Sequence, residues 1–275
     1  SSDLGKGSGF AGEGAKARSA GCSPPSTSAG ATSSAPATRA AAVATAKPRV
    51  TKTDQTRSTH RCSQPSIAST LWTSALLVLN GLIWLGQISP LGYLFTNQFF
   101  FAPLFAPFEP WRMLTSGFVH DWNGPWHILL NSYAIWIFGR QLEPLLGQLR
   151  FLLLYLTSII GGSVAVLWLS DPAIPVVGAS GALFGLMGAY FIVLRSLGGN
   201  PSQIFALIAI NFSMGFFVSG ISWEGHLGGL ITGLLVALVY ASNRKPGFSL
   251  QRGFGLVLIW VGLVAATLLK INQWF

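Results

Sequence analysis

Residues 65–108 contain no charged side chain. A stretch of that length without Lys, Arg, Asp or Glu offers no solvated face, so it must fold against hydrocarbon, either a large protein core or a lipid bilayer. The rest of the chain decides between the two. Of 275 residues, 51% are hydrophobic and 9% charged, against about a quarter charged in typical soluble domains. Seven apolar segments recur, over residues 67–87, 126–139, 151–169, 179–194, 204–219, 226–240 and 254–269. Seven buried helices within about 200 residues would leave too little polar surface to cover them in water. The expectation is an all-α polytopic membrane helix bundle. Several segments fall short of the ~20 residues that span hydrocarbon, so neighbours must bury part of them. Residues 89–125 are apolar but broken by Pro90, Pro103, Pro107 and Pro110; proline breaks a helix interior, so this connection is expected to dip into the membrane interface without spanning it.

The net charge of +9 is unevenly placed. Residues 1–65 carry nine Lys or Arg against three Asp or Glu, and residues 66–275 carry eight against five. The first segment is rich in Ala, Ser, Thr, Pro and Gly, with Phe10 its one aromatic. It cannot bury enough apolar surface to offset its ordering entropy and reads as a disordered basic tail, ahead of a membrane domain over 66–275. It has no apolar core of a secretory signal, although its Arg-, Ser- and Ala-rich makeup also resembles an organelle transit sequence. Both cysteines, Cys22 and Cys62, fall in this tail, so neither a structural disulfide nor a metal site is expected. Without aromatic interleaving on a folded basic face, nucleic acid is not an expected partner.

The positive-inside rule sets the orientation. With the tail in the cytoplasm, the inward connections carry Arg140 and Arg150, then Arg195, then Arg244, Lys245 and Arg252. The outward ones carry Arg112 and the acids Glu109, Asp121, Asp171 and Glu224. The parity holds over six crossings, and a seventh leaves Lys270 outside, against the trend. The expectation is a multi-pass protein of a prokaryotic plasma membrane with a cytoplasmic N-terminus, an organelle membrane being the alternative.

Polar groups inside such spans are functional candidates, because unsatisfied ones cost several kcal/mol in lipid. Three sets stand out. Ser180, in Gly178-Ala179-Ser180-Gly181, opens the fourth span, where unpaired backbone N–H groups can hold an anion; the plain alternative is that Ser180 caps the helix. His226 opens the sixth span, against the plain alternative of a satisfied interhelical histidine. His127 and Asn131, four apart, share one face of the second span, where they are either anion donors or a polar pair holding water. All three sets fall at the outer end. Gly181 with Gly185, and Gly229 with Gly233, make small-residue stripes that let the fourth and sixth helices approach until Ser180 and His226 can hydrogen-bond. Together they supply a hydroxyl nucleophile, an imidazole base and donors for an oxyanion. No aspartate is at hand for a triad, and Glu224 is expected beyond the helix start, so the reading is a Ser–His dyad.

These residues resemble the rhomboid family of intramembrane serine proteases. The match runs over about residues 66–270 and also takes in Trp111-Arg112 in the first outward loop and Glu143-Pro144-Leu145-Leu146-Gly147 after the second span. The resemblance implies a six-helix core plus a seventh C-terminal helix. It implies Ser180 as nucleophile, His226 as general base, and His127 and Asn131 in the oxyanion hole. Trp111 and Arg112 would serve structure, and Phe184, one turn past Ser180, would stack on His226 where the family often has Tyr. The implied activity is hydrolysis of peptide bonds in or beside transmembrane helices of membrane-protein substrates, through an acyl-enzyme and without metal or cofactor. Residues 216–223, flanked by Gly215 and containing Gly220, are a candidate gate. The competing classes are a protease-like protein that only binds membrane proteins, which intact Ser180 and His226 disfavour; a transporter, which would want internal repeats and midplane charge; and a metalloprotease, which would want a His-x-x-x-His motif.

Overall fold

The first long helix begins where a carboxylate from elsewhere in the chain meets its backbone N–H groups. The computed structural model describes residues 70–242 and 250–274; the tail expected over 1–65, with Cys22 and Cys62, lies outside them. Seven long helices are seen among the described residues: α1 (Leu71–Gln87), α4 (Trp126–Leu146), α5 (Gln148–Leu169), α6 (Ser180–Ser196), α7 (Ser202–Phe217), α8 (Trp223–Ala241) and α9 (Leu250–Asn272). Two short ones, α2 (Gly92–Asn97) and α3 (Arg112–Thr115), lie in the proline-broken connection. The seven long helices match the seven apolar segments one for one.

Thr70 makes no side-chain cap for α1. The cap comes instead from α4, whose Glu143 carboxylate accepts the N–H groups of Trp72 and Thr73, each at 2.8 Å, and the Thr73 hydroxyl at 2.7 Å. An anion at a helix N-terminus meets both the unpaired donors and the positive dipole end. Gly147 alone separates α4 from α5, at φ +87. That left-handed backbone suits glycine and folds the two helices back on each other.

Twelve of the 22 residues of α5 are buried, and α6 and α8 pack against it. The core between them and α4 is built on Ile135, Leu142, Leu154, Tyr155, Leu186 and Val236. In contrast, α7 buries nothing and α9 buries only Arg252 and Leu256. Their outward faces present large apolar side chains such as Phe205, Ile210, Leu258 and Leu268, a surface suited to lipid and not to water. Three helices, α5, α8 and α9, are long and apolar enough to cross a membrane, while α1, α6 and α7 are apolar but shorter. The chain is an integral membrane protein with a polytopic helical fold.

The expected connections are shorter than the charge pattern suggested. Arg140, Arg150, Arg195 and Arg252 lie within α4, α5, α6 and α9, not between them. Arginine is a good helix former; Arg140 and Arg195 keep their long side chains exposed, whereas Arg252 is buried. The helical backbone therefore outlasts the apolar run, and α4 continues through Pro144 to Leu146.

Candidate active site

Two segments set the position of Ser180. Residues 172–178 lead into α6 and are held from below by the proline-broken connection. Phe101 and Val176 exchange backbone hydrogen bonds at 3.1 and 2.7 Å, Leu104 N–H donates to the Pro172 carbonyl, and Gly178 N–H donates to the Ser116 carbonyl. The connection is itself pinned by Arg112. Its guanidinium pairs with Glu109 at 2.6 Å, donates to the Asn97 and Phe100 carbonyls, and lies over the Phe105 ring. Arg112 is buried beneath this loop, whereas Trp111 is 54% exposed.

Ala179 is the N-cap of α6, and Ser180 is its first residue. The capping alternative for Ser180 therefore does not apply. The stripes expected to bring α6 and α8 together do meet. A Cβ placed on Gly229 would collide with the Gly181 carbonyl, and one on Gly233 with the Gly185 backbone. The contact that lets the two backbones touch also brings His226 beside α6, where the Phe184 ring stacks on it at 4.2 Å and 17°.

His226 is buried, and its Nδ1 has no hydrogen-bond partner. Glu224 does not orient it: its carboxylate accepts from the Ser222 hydroxyl, which in turn caps α8 by accepting from Gly225 N–H. The stacked Phe184, one turn past Ser180, ties His226 to α6, and no hydrogen bond between Ser180 and His226 is formed. Such contacts in substrate-free sites are often long and tighten on binding.

His127 supplies the third corner. Its Nδ1 accepts the backbone N–H of Asp121 at 3.1 Å. A ring nitrogen that accepts carries no proton, so Nε2 is the N–H of the neutral ring. That Nε2 lies 2.8 Å from where a Cβ on Gly178 would stand, with Ser180 Oγ 3.8 Å from the same point. Gly178 has φ +122, so glycine is required there both for the backbone and for the space. Asn131 turns one amide hydrogen back to the His127 carbonyl at 2.8 Å, which leaves the other for the site.

Sequence reasoning missed His120 and Gln87. Gln87, at the end of α1, donates to the His120 carbonyl at 2.7 Å and accepts the His120 N–H at 2.8 Å. His120 then sets its ring edge-to-face against His127, centroids 5.2 Å apart. Burial, with the nearby His127, holds the His120 pKa down at about 4 despite its bond to the Phe118 carbonyl. A polar pair 33 residues apart has no periodic signature, so nothing in the sequence pattern marks it.

A cavity of about 40 Å³ adjoins Ser180, lined by Ser116, Ser163, Gly178 and Ser222 among others. That is room for a water molecule beside polar partners. Among the described residues, no three His, Cys, Asp or Glu side chains gather as a metal site would require.

The fold and this buried polar site define a polytopic membrane protein with its candidate polar side chains gathered at one end of its bundle. Comparison with known proteins gives the family. A model of the rhomboid domain matches residues 107–243. Rhomboid protease GluP of Bacillus subtilis (strain 168) is 42% identical over 164 residues, which is 57% of this chain and 31% of GluP. Putative rhomboid protease YdcA of the same organism is 38% identical over 143 residues, 50% of this chain and 70% of YdcA. RHOMBOID-like protein 6, mitochondrial, of Arabidopsis thaliana is 35% identical over 147 residues, 51% of this chain and 47% of that protein. The chain belongs to the rhomboid family of intramembrane serine proteases. It spans about a third of GluP and less than half of the Arabidopsis protein.

Proposed function

We propose that this chain is an intramembrane serine endopeptidase that cuts peptide bonds in or next to transmembrane helices of membrane-protein substrates. Ser180 is the nucleophile and His226 the general base. As Ser180 Oγ bonds to the scissile carbonyl carbon, His226 takes the hydroxyl proton. It returns that proton to the leaving amine as the C–N bond breaks, leaving an acyl-enzyme. Water then attacks the ester with His226 again as base, and the cavity beside Ser180 is a place to hold it.

The carbonyl oxygen gains charge in each step. In this reading the Nε2–H of His127, the remaining amide hydrogen of Asn131 and the unpaired N–H groups of the first turn of α6 stabilise that charge. The observation that carries the reading is the close approach of α6 and α8, which sets the His226 ring against Phe184, one turn past Ser180. Gly178, Gly181, Gly229 and Gly233 admit the close approaches, while Trp111, Arg112 and Phe184 support them.

Substrate reaches this depth beside α7. The rings of Phe184, Phe212, Phe216 and Trp223 form a ladder, each 5.5–6.3 Å from the next, that closes the gap near His226. Gly220, at φ +85, lies between Phe216 and Trp223. This is the gate. The chain belongs in a prokaryotic plasma membrane with its N-terminus in the cytoplasm and with residues 66–275 as the protease domain. A mitochondrial relative makes an organelle membrane the alternative.

Purified protein offered a panel of single-span substrates is expected to cleave at least one, and Ser180→Ala or His226→Ala to abolish cleavage with an unchanged melting temperature. A serine-reactive phosphonate should label Ser180 in the folded wild type. Cleavage that survives Ser180→Ala would overturn the mechanism, and a folded wild type that neither labels nor cuts would make it a binding protein.

A further inference from the structure

The rhomboid-domain match ends at residue 243, so α9 lies outside it, yet α9 is docked on the bundle. Between two helices in lipid there is no hydrophobic gain to hold them together, so association rests on packing and on interhelical polar contacts. At the end of the bundle that holds Ser180, α9 makes both kinds with α5. Trp168, in the last turn of α5, donates its indole N–H to the Ala266 carbonyl of α9 at 3.1 Å. Lys270, one turn further along α9, sets its ammonium 5.2 Å from the centre of the Trp168 ring and 5.9 Å from that of Trp274. A cation held against aromatic faces is stabilised most where water is scarce.

These contacts lie over the segment that carries Ser180. Leu263, Ala266, Ile271 and Trp274 of α9 pack on a buried cluster that joins Phe101 and Met113 of the proline-broken connection to Val164 and Leu167 of α5. Val176 packs on the same cluster, and its backbone is the one that pairs with Phe101. Two residues on, the Ser116 carbonyl accepts the Gly178 N–H, and Ser180 follows two positions later. The Ser163 hydroxyl of α5 donates to the Met113 carbonyl at 2.6 Å, which ties α5 to the same connection. The segment from α5 to α6 is therefore fixed at its start by the end of α5 and at Val176 by the cluster, and α9 is packed on both. Leu263, Ala266, Lys270 and Trp274 recur at steps of three and four, a single stripe of α9, while Val264, Leu268 and Leu269 face away and are exposed.

We propose that Trp168 and Lys270 are positioning residues: by fastening α9 to the end of α5 they keep the cluster beneath Val176 packed, and so fix the segment that presents Ser180. Both act through residues 172–178 and not on substrate. The proposal rests on Ser180 as the nucleophile, since only then does the placement of that segment set a rate. Without the two links α9 still keeps its apolar surface in lipid, so the bundle stays folded while the segment loosens.

The test uses the full chain in neutral detergent. Trp168→Phe keeps a ring and removes the N–H, Lys270→Leu keeps bulk and removes the cation, and the two are combined. Leu268→Ala, at a 61% exposed position on the other side of α9, is the control. In the combined variant the amides of Val176 and Gly178 should exchange with deuterium about tenfold faster than in wild type, because their bonds to Phe101 and Ser116 open more often. Phosphonate labelling of Ser180 and kcat on a single-span substrate should fall together, about tenfold, with KM unchanged. Lys270→Arg keeps the cation and should keep wild-type values, as should Leu268→Ala. Should the combined variant fail to fold, Trp168→Phe alone, at a 39% exposed position, decides with changes in the same direction. Unchanged exchange at Val176 and Gly178 would overturn the proposal. A raised KM at unchanged kcat would do so too, by making α9 a substrate-binding helix, as would an equal loss in Leu268→Ala. A wild type that neither labels nor cuts would remove the nucleophile reading and with it the effect on rate; the exchange comparison would then decide the clamp by itself.

Discussion

Gly178 is where the backbone and the chemistry constrain each other most tightly. Its φ of +122 excludes an unstrained L side chain, and the space a Cβ would need is held by His127 Nε2. Gly178→Ala is expected to cost about 1–3 kcal/mol of stability and to push His127 aside. Turnover should then fall by more than the melting temperature suggests, as paired activity and unfolding measurements would show. Asn131→Ala removes one of the proposed oxyanion donors, a group typically worth roughly 3–4 kcal/mol of the barrier. It should lower kcat about 10²–10³-fold and leave substrate binding nearly unchanged; a larger effect on KM than on kcat would remove Asn131 from that role. His120 makes a separate prediction about pH. Its folded pKa, about 4, lies below the ordinary 6.5, so between those values the unfolded chain binds the extra proton. The stability it contributes is complete above pH 6.5 and is lost as pH falls toward 4. A melting temperature that declines across that window, and declines less in His120→Gln, is the expected result.

At the scale of elements, the bundle is held by close backbone approach and by one charge placed at a distance. Gly229→Ala sets a methyl against the Gly181 carbonyl and must separate α6 from α8, whereas Gly262 in α9 has no atom within 4 Å of its would-be Cβ. Gly229→Ala should lower the melting temperature by several degrees and abolish cleavage. Gly262→Ala should leave cleavage intact and match or exceed wild-type stability, since alanine is the better helix former by about 1 kcal/mol. If the two behaved alike, the α6–α8 approach would not be what holds the site. Glu143→Gln keeps the shape of the α1 cap and removes its charge, at an expected cost of about 1.5–3 kcal/mol. The number, order and approximate extent of the long helices were legible because a span must be apolar over a length set by hydrocarbon. The Glu143 cap was not legible. The motif around it could be recognised, but the partner for its carboxylate is a helix terminus 70 residues earlier.

For the whole molecule, the few charges sort to the two ends of the bundle, and sidedness follows from that sorting. Cys22 and Cys62 are the only cysteines in the chain, so they report the side of the tail without mutagenesis. A membrane-impermeant maleimide should label them in inverted vesicles and not in right-side-out ones; the reverse pattern would invert the proposed orientation and place Ser180 at the cytoplasmic leaflet. The sequence by itself determined the membrane class, the seven helices and the identity of Ser180, His226, His127 and Asn131 as candidates. It could do so because polar residues are so scarce in such a chain that each is conspicuous. Only the tertiary structure decided what those residues do to one another: that Ser180 is the first residue of α6 and not its N-cap, that His127 turns its protonated nitrogen toward Gly178, and that Gln87 and His120 brace it. Those relations join residues tens of positions apart through single hydrogen bonds and single close contacts, which leave no period or composition to read.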